Sequence, residues 1–171
     1  MTPDDSAGHV DHCGGDSTVL VGQIAERRWL LESIYGFLAF KNGVPIAYGT
    51  TCSLLSCSEI AYNVFETYRG TEAAHILGCV LAMAYHVFDA DAFSLDPSQL
   101  GEDDTEALKS GAWWFYYKLG FRPENSEVRR LLKSELGRMR KNPRHRSSLA
   151  TLRKFSSESM FLYLDRVKPA I

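Results

Sequence analysis

The alternation of apolar and polar positions changes period several times along this 171-residue chain. Val19 to Ile34 sets Ile24, Trp29, Leu30, Leu31 and Ile34 among charged residues at near-helical spacing, which predicts a helix. Tyr35 to Phe40 and Val44 to Leu55 read as strands, and Lys41-Asn42-Gly43 between them is a strong local signal for a hairpin. Glu59 to Phe65 predicts a third strand. Ala73 to Phe88 is apolar almost all round, the pattern of a helix buried against a sheet.

Beyond it, Asp89 to Asp91 breaks the helix, and Ala92 to Leu95 is a short strand ended by Asp96-Pro97. Ser98 to Thr105 reads as a polar loop. Glu106 to Leu119 predicts a helix stopped by Gly120 in a left-handed cap, and Phe121 to Pro123 starts another strand. Ser126 to Lys141 is amphipathic, with Val128, Leu131, Leu132, Leu136 and Met139 on one face. Pro143 interrupts it, Ser147 or Ser148 can cap a short helix through about Phe155, and Met160 to Val167 alternates as a closing strand.

Composition narrows the class. Charged residues are 23 % and hydrophobic residues 45 %, ordinary for a globular domain. No apolar run reaches the ~18 residues of a bilayer span, so no membrane role is expected. Met1 to Ser17 lacks the basic start and apolar middle of a signal peptide. Residues 1–18 are expected to be a flexible lead-in, and 19–171 a single domain. Cys13, Cys52, Cys57 and Cys79 form no CxxC pair, which suggests a reducing compartment, and a cytoplasmic location is expected. His9-Val10-Asp11-His12-Cys13 is capable of binding a metal, but it has no second ligand cluster and no metal site is expected. His145 sits among arginines and is expected to be solvated.

Charge is unevenly spread. Met1 to Phe121 carries 6 Lys+Arg against 16 Asp+Glu, and Arg122 to Lys154 carries 11 against 3. The basic segment 126–146 therefore reads either as a solvated face balancing an acidic body or as a surface for an acidic partner, such as a carrier protein or a tRNA.

Two motifs carry a resemblance to the GNAT superfamily of N-acyltransferases. The first is Val64-Phe65-Glu66-Thr67-Tyr68-Arg69-Gly70-Thr71-Glu72-Ala73-Ala74. It resembles the family's Arg/Gln-x-x-Gly-x-Gly/Ala loop, whose backbone N–H groups and following helix start cradle the pyrophosphate of coenzyme A. Arg69 takes the first position and Ala74 the sixth. The fourth, normally Gly, is Glu72. The second motif, Ala112-Trp113-Trp114-Phe115-Tyr116-Tyr117-Lys118-Leu119-Gly120-Phe121, resembles Ala-x-x-x-Tyr-x-Lys-Leu-Gly-Phe. Lys109 stands where the family often has Asn.

The resemblance spans roughly Tyr35 to Phe121, with a further match at Met160 to Leu164. It implies a mixed, mostly antiparallel sheet flanked by helices, with residues 126–157 as a helical insertion before the last strand. The family's first strand is expected to be abbreviated. It implies acetyl-CoA or another acyl-CoA as donor, and a small-molecule or peptide amine as acceptor. Phe65, Arg69, Gly70, Thr71, Glu72, Ala73, Ala74 and Lys109 would contact the cofactor, and Tyr116 would protonate the departing thiolate. Glu59, on the strand leading to the loop, would deprotonate the amine. A homodimer is compatible with this reading. A non-catalytic binding module with a degenerate cofactor loop is the alternative, suggested by Glu72, Lys109 and the short N-terminus.

Overall fold

The computed structural model describes residues 8–13, 16–22 and 33–164. The chain gathers into two compact units. One comprises Met1–Phe93 with Tyr163–Ile171, and the other Ser94–Leu162.

The first unit is built on an antiparallel meander. Its strands are β1 (Gly8–Cys13), β2 (Asp16–Gly22), β3 (Ser33–Lys41), β4 (Val44–Leu54) and β5 (Cys57–Val64), adjacent in that order. The first two correct the sequence reading. Gly8 pairs with Val21 and Cys13 with Asp16, so part of the expected lead-in is a β-hairpin, and the sheet begins earlier than the abbreviated start expected. The helix expected over 19–34 is likewise overruled at both ends. Val19 to Gly22 belongs to β2 and Ser33-Ile34 to β3, with residues 23–32 outside the described residues. Val19, Leu20 and Val21 are β-prone, and cross-strand pairing to Leu38, Phe37 and Gly36 outweighs the helical spacing of the apolar residues further on.

The β3–β4 hairpin closes as its Asn-Gly dictates. Lys41 faces Val44, and Asn42 and Gly43 both take positive φ (51° and 78°), the mark of a two-residue type I′ turn. β5 alternates strictly. Ser58, Ile60, Tyr62 and Val64 are buried, while Cys57, Glu59, Ala61 and Asn63 face outward. Helix α1 (Thr71–Phe88) contributes Ile76, Leu77, Val80, Met83 and Ala84 to the core, with Phe37, Ile46, Ala47 and Ile60 among the buried strand residues. Gly49 in β4 is where backbone and ring approach most closely. A Cβ there would collide with the Ala61 carbonyl oxygen and stand 2.6 Å from Phe37 Cζ.

Strand β6 (Ala92–Leu95) passes from the first unit into the second. The second unit continues with α2 (Thr105–Ser110), α3 (Ala112–Lys118), β7 (Arg122–Pro123), α4 (Ser126–Lys141), α5 (Leu149–Ser156) and all but the last residue of β8 (Met160–Tyr163). β8 lies between β6 and β7, antiparallel to β7. The expected helix 106–119 is two helices, because Gly111 adopts φ 82° and ends α2 before α3 begins. The closing strand is shorter than expected, since residues 165–171 lie outside the described residues.

Trp113, Tyr116, Phe121, Leu152, Phe155 and Met160 form much of this core, with Trp113 stacked on Phe155 at 4.3 Å. Asn125 caps α4 through the N–H groups of Glu127 and Val128, and Ser148 caps α5 through Thr151 N–H. The mixed α/β architecture, a largely antiparallel sheet flanked by helices, is the fold class expected from the sequence. Among the described residues no helix is long and apolar enough to cross a membrane.

Candidate functional site

The candidate cofactor loop lies wholly in the first unit, between β5 and α1. Phe65 N–H donates to Ile46 carbonyl oxygen (3.0 Å), and its exposed ring leans on Tyr48 at 5.5 Å. Glu66–Tyr68 forms one tight turn, closed by Arg69 N–H on Glu66 O. Arg69 then folds back, its Nε donating to Val64 O at 3.2 Å, so the guanidinium is anchored at the loop's base.

Gly70 sets the geometry. Its φ of 119° and ψ of −124° lie in a region where a side chain is strained, although a Cβ there would meet nothing within 4 Å. The requirement is conformational and not one of space. Gly70 occupies the N-cap position of α1 and no side chain caps this 18-residue helix. Such an end concentrates N–H donors and the positive pole of the helix dipole. Thr71, Glu72, Ala73 and Ala74 make up its first turn.

Glu72, in the first turn of α1, has a specific partner. Lys41 Nζ, from the β3–β4 hairpin, donates to Glu72 Oε1 at 2.7 Å. That hydrogen bond holds the Lys41 ammonium above its ordinary range. Glu72 Oε2 is enclosed and has no hydrogen-bond partner among the described residues. The carboxylate beside the helix end is thus countered by a cation 31 residues away in sequence. Sequence reasoning missed Lys41, because the pair arises only when the hairpin turn meets the helix start.

Glu59 sits on the exposed face of β5, opposite Cys52. Tyr116 and Lys109 belong to the second unit. Tyr116 is buried, and its hydroxyl accepts from Gln99 Nε2 at 2.9 Å. Lys109 is exposed in the last turn of α2. Gly120, with φ 105°, ends the second motif as expected, and Phe121 behind it is fully buried.

Two further clusters bear on chemistry. His75 Nε2 lies 3.2 Å from Asp16 Oδ2 and 3.7 Å from Cys79 Sγ. One ring nitrogen serves both neighbours, unlike a nucleophile–base–acid relay, in which each nitrogen has its own partner. Among the described residues no group of three or more His, Cys, Asp or Glu can hold a metal.

The second cluster corrects the expectation that His145 is solvated. Its Nε2 is 3.0 Å from Oε2 of Glu135, which is 1 % exposed. Glu135 also accepts from Arg138 Nη1 (2.8 Å) and Ser147 Oγ (2.8 Å). Burial pushes this carboxyl up, but the hydrogen bonds from His145 and Ser147 and the charges of His145 and Arg138 together hold it below its ordinary range. The cluster ties the middle of α4 to the connection before α5.

No family model matches the chain. No curated protein matches it either. Several solved structures do. ElaA of Escherichia coli shares 21 % identity at a TM-score of 0.39, over 54 % of this chain and 58 % of that one. The PaiA N-acetyltransferase of Thermoplasma acidophilum, in complex with coenzyme A, shares 16 % identity at a TM-score of 0.41, over 54 % of each chain. An acetyltransferase of Salmonella typhimurium that modifies the N-terminal serine of the 50S ribosomal subunit protein L7/L12 shares 13 % identity at a TM-score of 0.40, over 56 % of this chain and 52 % of that one. The chain thus spans a little over half the length of each.

Proposed function

We propose that this chain is an N-acyltransferase-like protein that takes an acyl group, acetyl in the first instance, from coenzyme A to an amine. The observation that carries the reading is the Arg69–Ala74 turn. A strand delivers it onto a helix start with no side-chain cap, Gly70 holds the one conformation a bulkier residue resists, and Lys41 counters the one intruding carboxylate.

In this reading the backbone N–H groups of Gly70 to Ala74 bind the pyrophosphate, and Arg69 adds positive charge at the base of the loop. Phe65, with Tyr48, supplies an aromatic surface beside it, and Lys109 takes a cofactor phosphate. The amine nitrogen attacks the thioester carbonyl carbon, forming the C–N bond. Collapse of the tetrahedral adduct breaks the C–S bond. Glu59 takes the proton the amine loses, and Tyr116 gives its phenolic proton to the thiolate. An unperturbed phenol titrates near ~10 and so carries that proton at neutral pH.

The acceptor is a small-molecule or peptide amine. Exposed cations of α4 (Arg129, Arg130, Lys133, Arg140, Lys141) offer a surface for an acidic, phosphate-bearing partner such as a carrier protein or tRNA. The test is release of free thiol from acetyl-CoA across a panel of amines and N-terminal peptides. Amine-dependent thiol release supports transfer. Coenzyme A binding without turnover on any acceptor favours the non-catalytic module.

A further inference from the structure

A cavity of about 470 Å³ opens within the second unit between α4 and α5. It falls in the size range of small-ligand sites. Its α4 wall carries Glu127, Arg130, Leu131 and Ser134, which share a helix face at spacings of three, four and seven residues. The α5 wall carries Lys154 and, just past the helix end, Glu158. Asn125 Nδ2 donates to Glu158 Oε1 at 3.0 Å, so the start of α4 meets the end of α5 and the two walls run antiparallel.

That arrangement sorts the charges by level. Glu127 and Glu158 lie at one end, and Arg130 and Lys154 lie one helical turn along their respective helices. Glu127 and Arg130, three apart within α4, are spaced to pair, with Cβ atoms ~5–6 Å apart. Yet among the described residues neither they nor Lys154 and Glu158 come within ion-pair distance. Val128, which is buried, and Leu131 add an apolar part to the lining.

We infer that this cavity binds a small zwitterion of dipeptide size. Its ammonium sits at the Glu127–Glu158 end, its carboxylate between Arg130 and Lys154, and an apolar side chain on Val128 and Leu131. The separation of the two levels suits the ends of a dipeptide better than the adjacent ammonium and carboxylate of one amino acid. The same two carboxylates disfavour a phosphate or a nucleic-acid backbone, which would meet only half of the lining favourably. The site is independent of acyl transfer and of the Arg69–Ala74 loop.

The test is calorimetric titration of the full chain with glycyl-leucine, with N-acetyl-glycyl-leucine, with glycyl-leucinamide and with inorganic phosphate. The inference expects saturable millimolar binding of glycyl-leucine and a loss of about tenfold or more on capping either end. Phosphate should bind more weakly than the dipeptide. Arg130→Gln should remove the advantage of the free carboxylate while leaving that of the free ammonium, and Glu158→Gln should do the reverse. The capped ligands probe the same question in the parent protein should either variant fail to fold. No saturable binding of glycyl-leucine at about 20 mM, equal affinity for the capped peptides, or stronger binding of phosphate would each overturn the inference.

Discussion

Lys41 Nζ and Glu72 Oε1 lie 2.7 Å apart, joining the tip of a β-hairpin to the first turn of α1. In the proposed reading this pair offsets the carboxylate that Glu72 places beside the helix start. Lys41→Ala leaves that carboxylate uncompensated beside the helix start. Coenzyme A affinity should then fall a few-fold, more at low salt than at high salt. Glu72→Gly should raise affinity by a similar factor, and Lys41→Ala should weaken binding far less in that background. Titration calorimetry of the two single variants and the double variant checks this. Additive effects would separate the pair from the ligand.

Glu135 makes the second unit sensitive to acid. Its folded pKa is lowered, so the stability it contributes is present above the unfolded value near 4.5 and is lost as pH falls through the folded value. The melting temperature should therefore drop below about pH 4.5 more steeply in the parent than in Glu135→Gln. Glu135→Gln should itself be destabilised at neutral pH, since it removes a buried carboxylate that accepts from His145, Ser147 and Arg138; the cost is on the order of 1–3 kcal/mol. Thermal melts read by circular dichroism from acid to neutral pH decide it.

Gly49→Ala should destabilise the first unit strongly. Its Cβ would meet the Ala61 carbonyl oxygen and the Phe37 ring, neither of which can yield without moving the sheet. A cost of about 1–3 kcal/mol is expected from overpacking of this kind. Urea unfolding measures it, and a midpoint equal to the parent's would show that the strands separate freely there.

Much of this architecture is legible in the chain itself. The Asn42-Gly43 turn, the alternating strand into the loop, the apolar α1 and the amphipathic α4 each rest on a local signal, and each stands within a few residues of where that signal put it. The failures share a different cause. Val19 to Gly22 looked helical in company with the residues that follow, and only pairing with β3 makes it a strand. Gly111 looked like an interior glycine, yet it splits one expected helix in two. In the candidate site the backbone signals were readable, as at Gly70. The pairings of Lys41 with Glu72 and of His145 with Glu135 were not, because long-range side-chain meetings leave no periodic trace.

Tyr116→Phe separates binding from chemistry. The variant loses only a hydroxyl bonded to Gln99 and should fold. Thiol release should fall by about 10²–10⁴-fold if the phenol is the proton donor, with coenzyme A affinity little changed. A rate equal to the parent's would assign the proton to another group.

The most direct measurement of the central claim is titration of the folded protein with coenzyme A, beside its Gly70→Ala variant. The account predicts saturable binding with a dissociation constant below about 1 mM. In the variant, a modestly lowered melting temperature should accompany an affinity reduced about tenfold or more, since the φ of 119° at Gly70 orients the loop's N–H groups and strains any side chain placed there. Absence of binding at millimolar coenzyme A in a folded sample, or an unchanged affinity in Gly70→Ala, would contradict it.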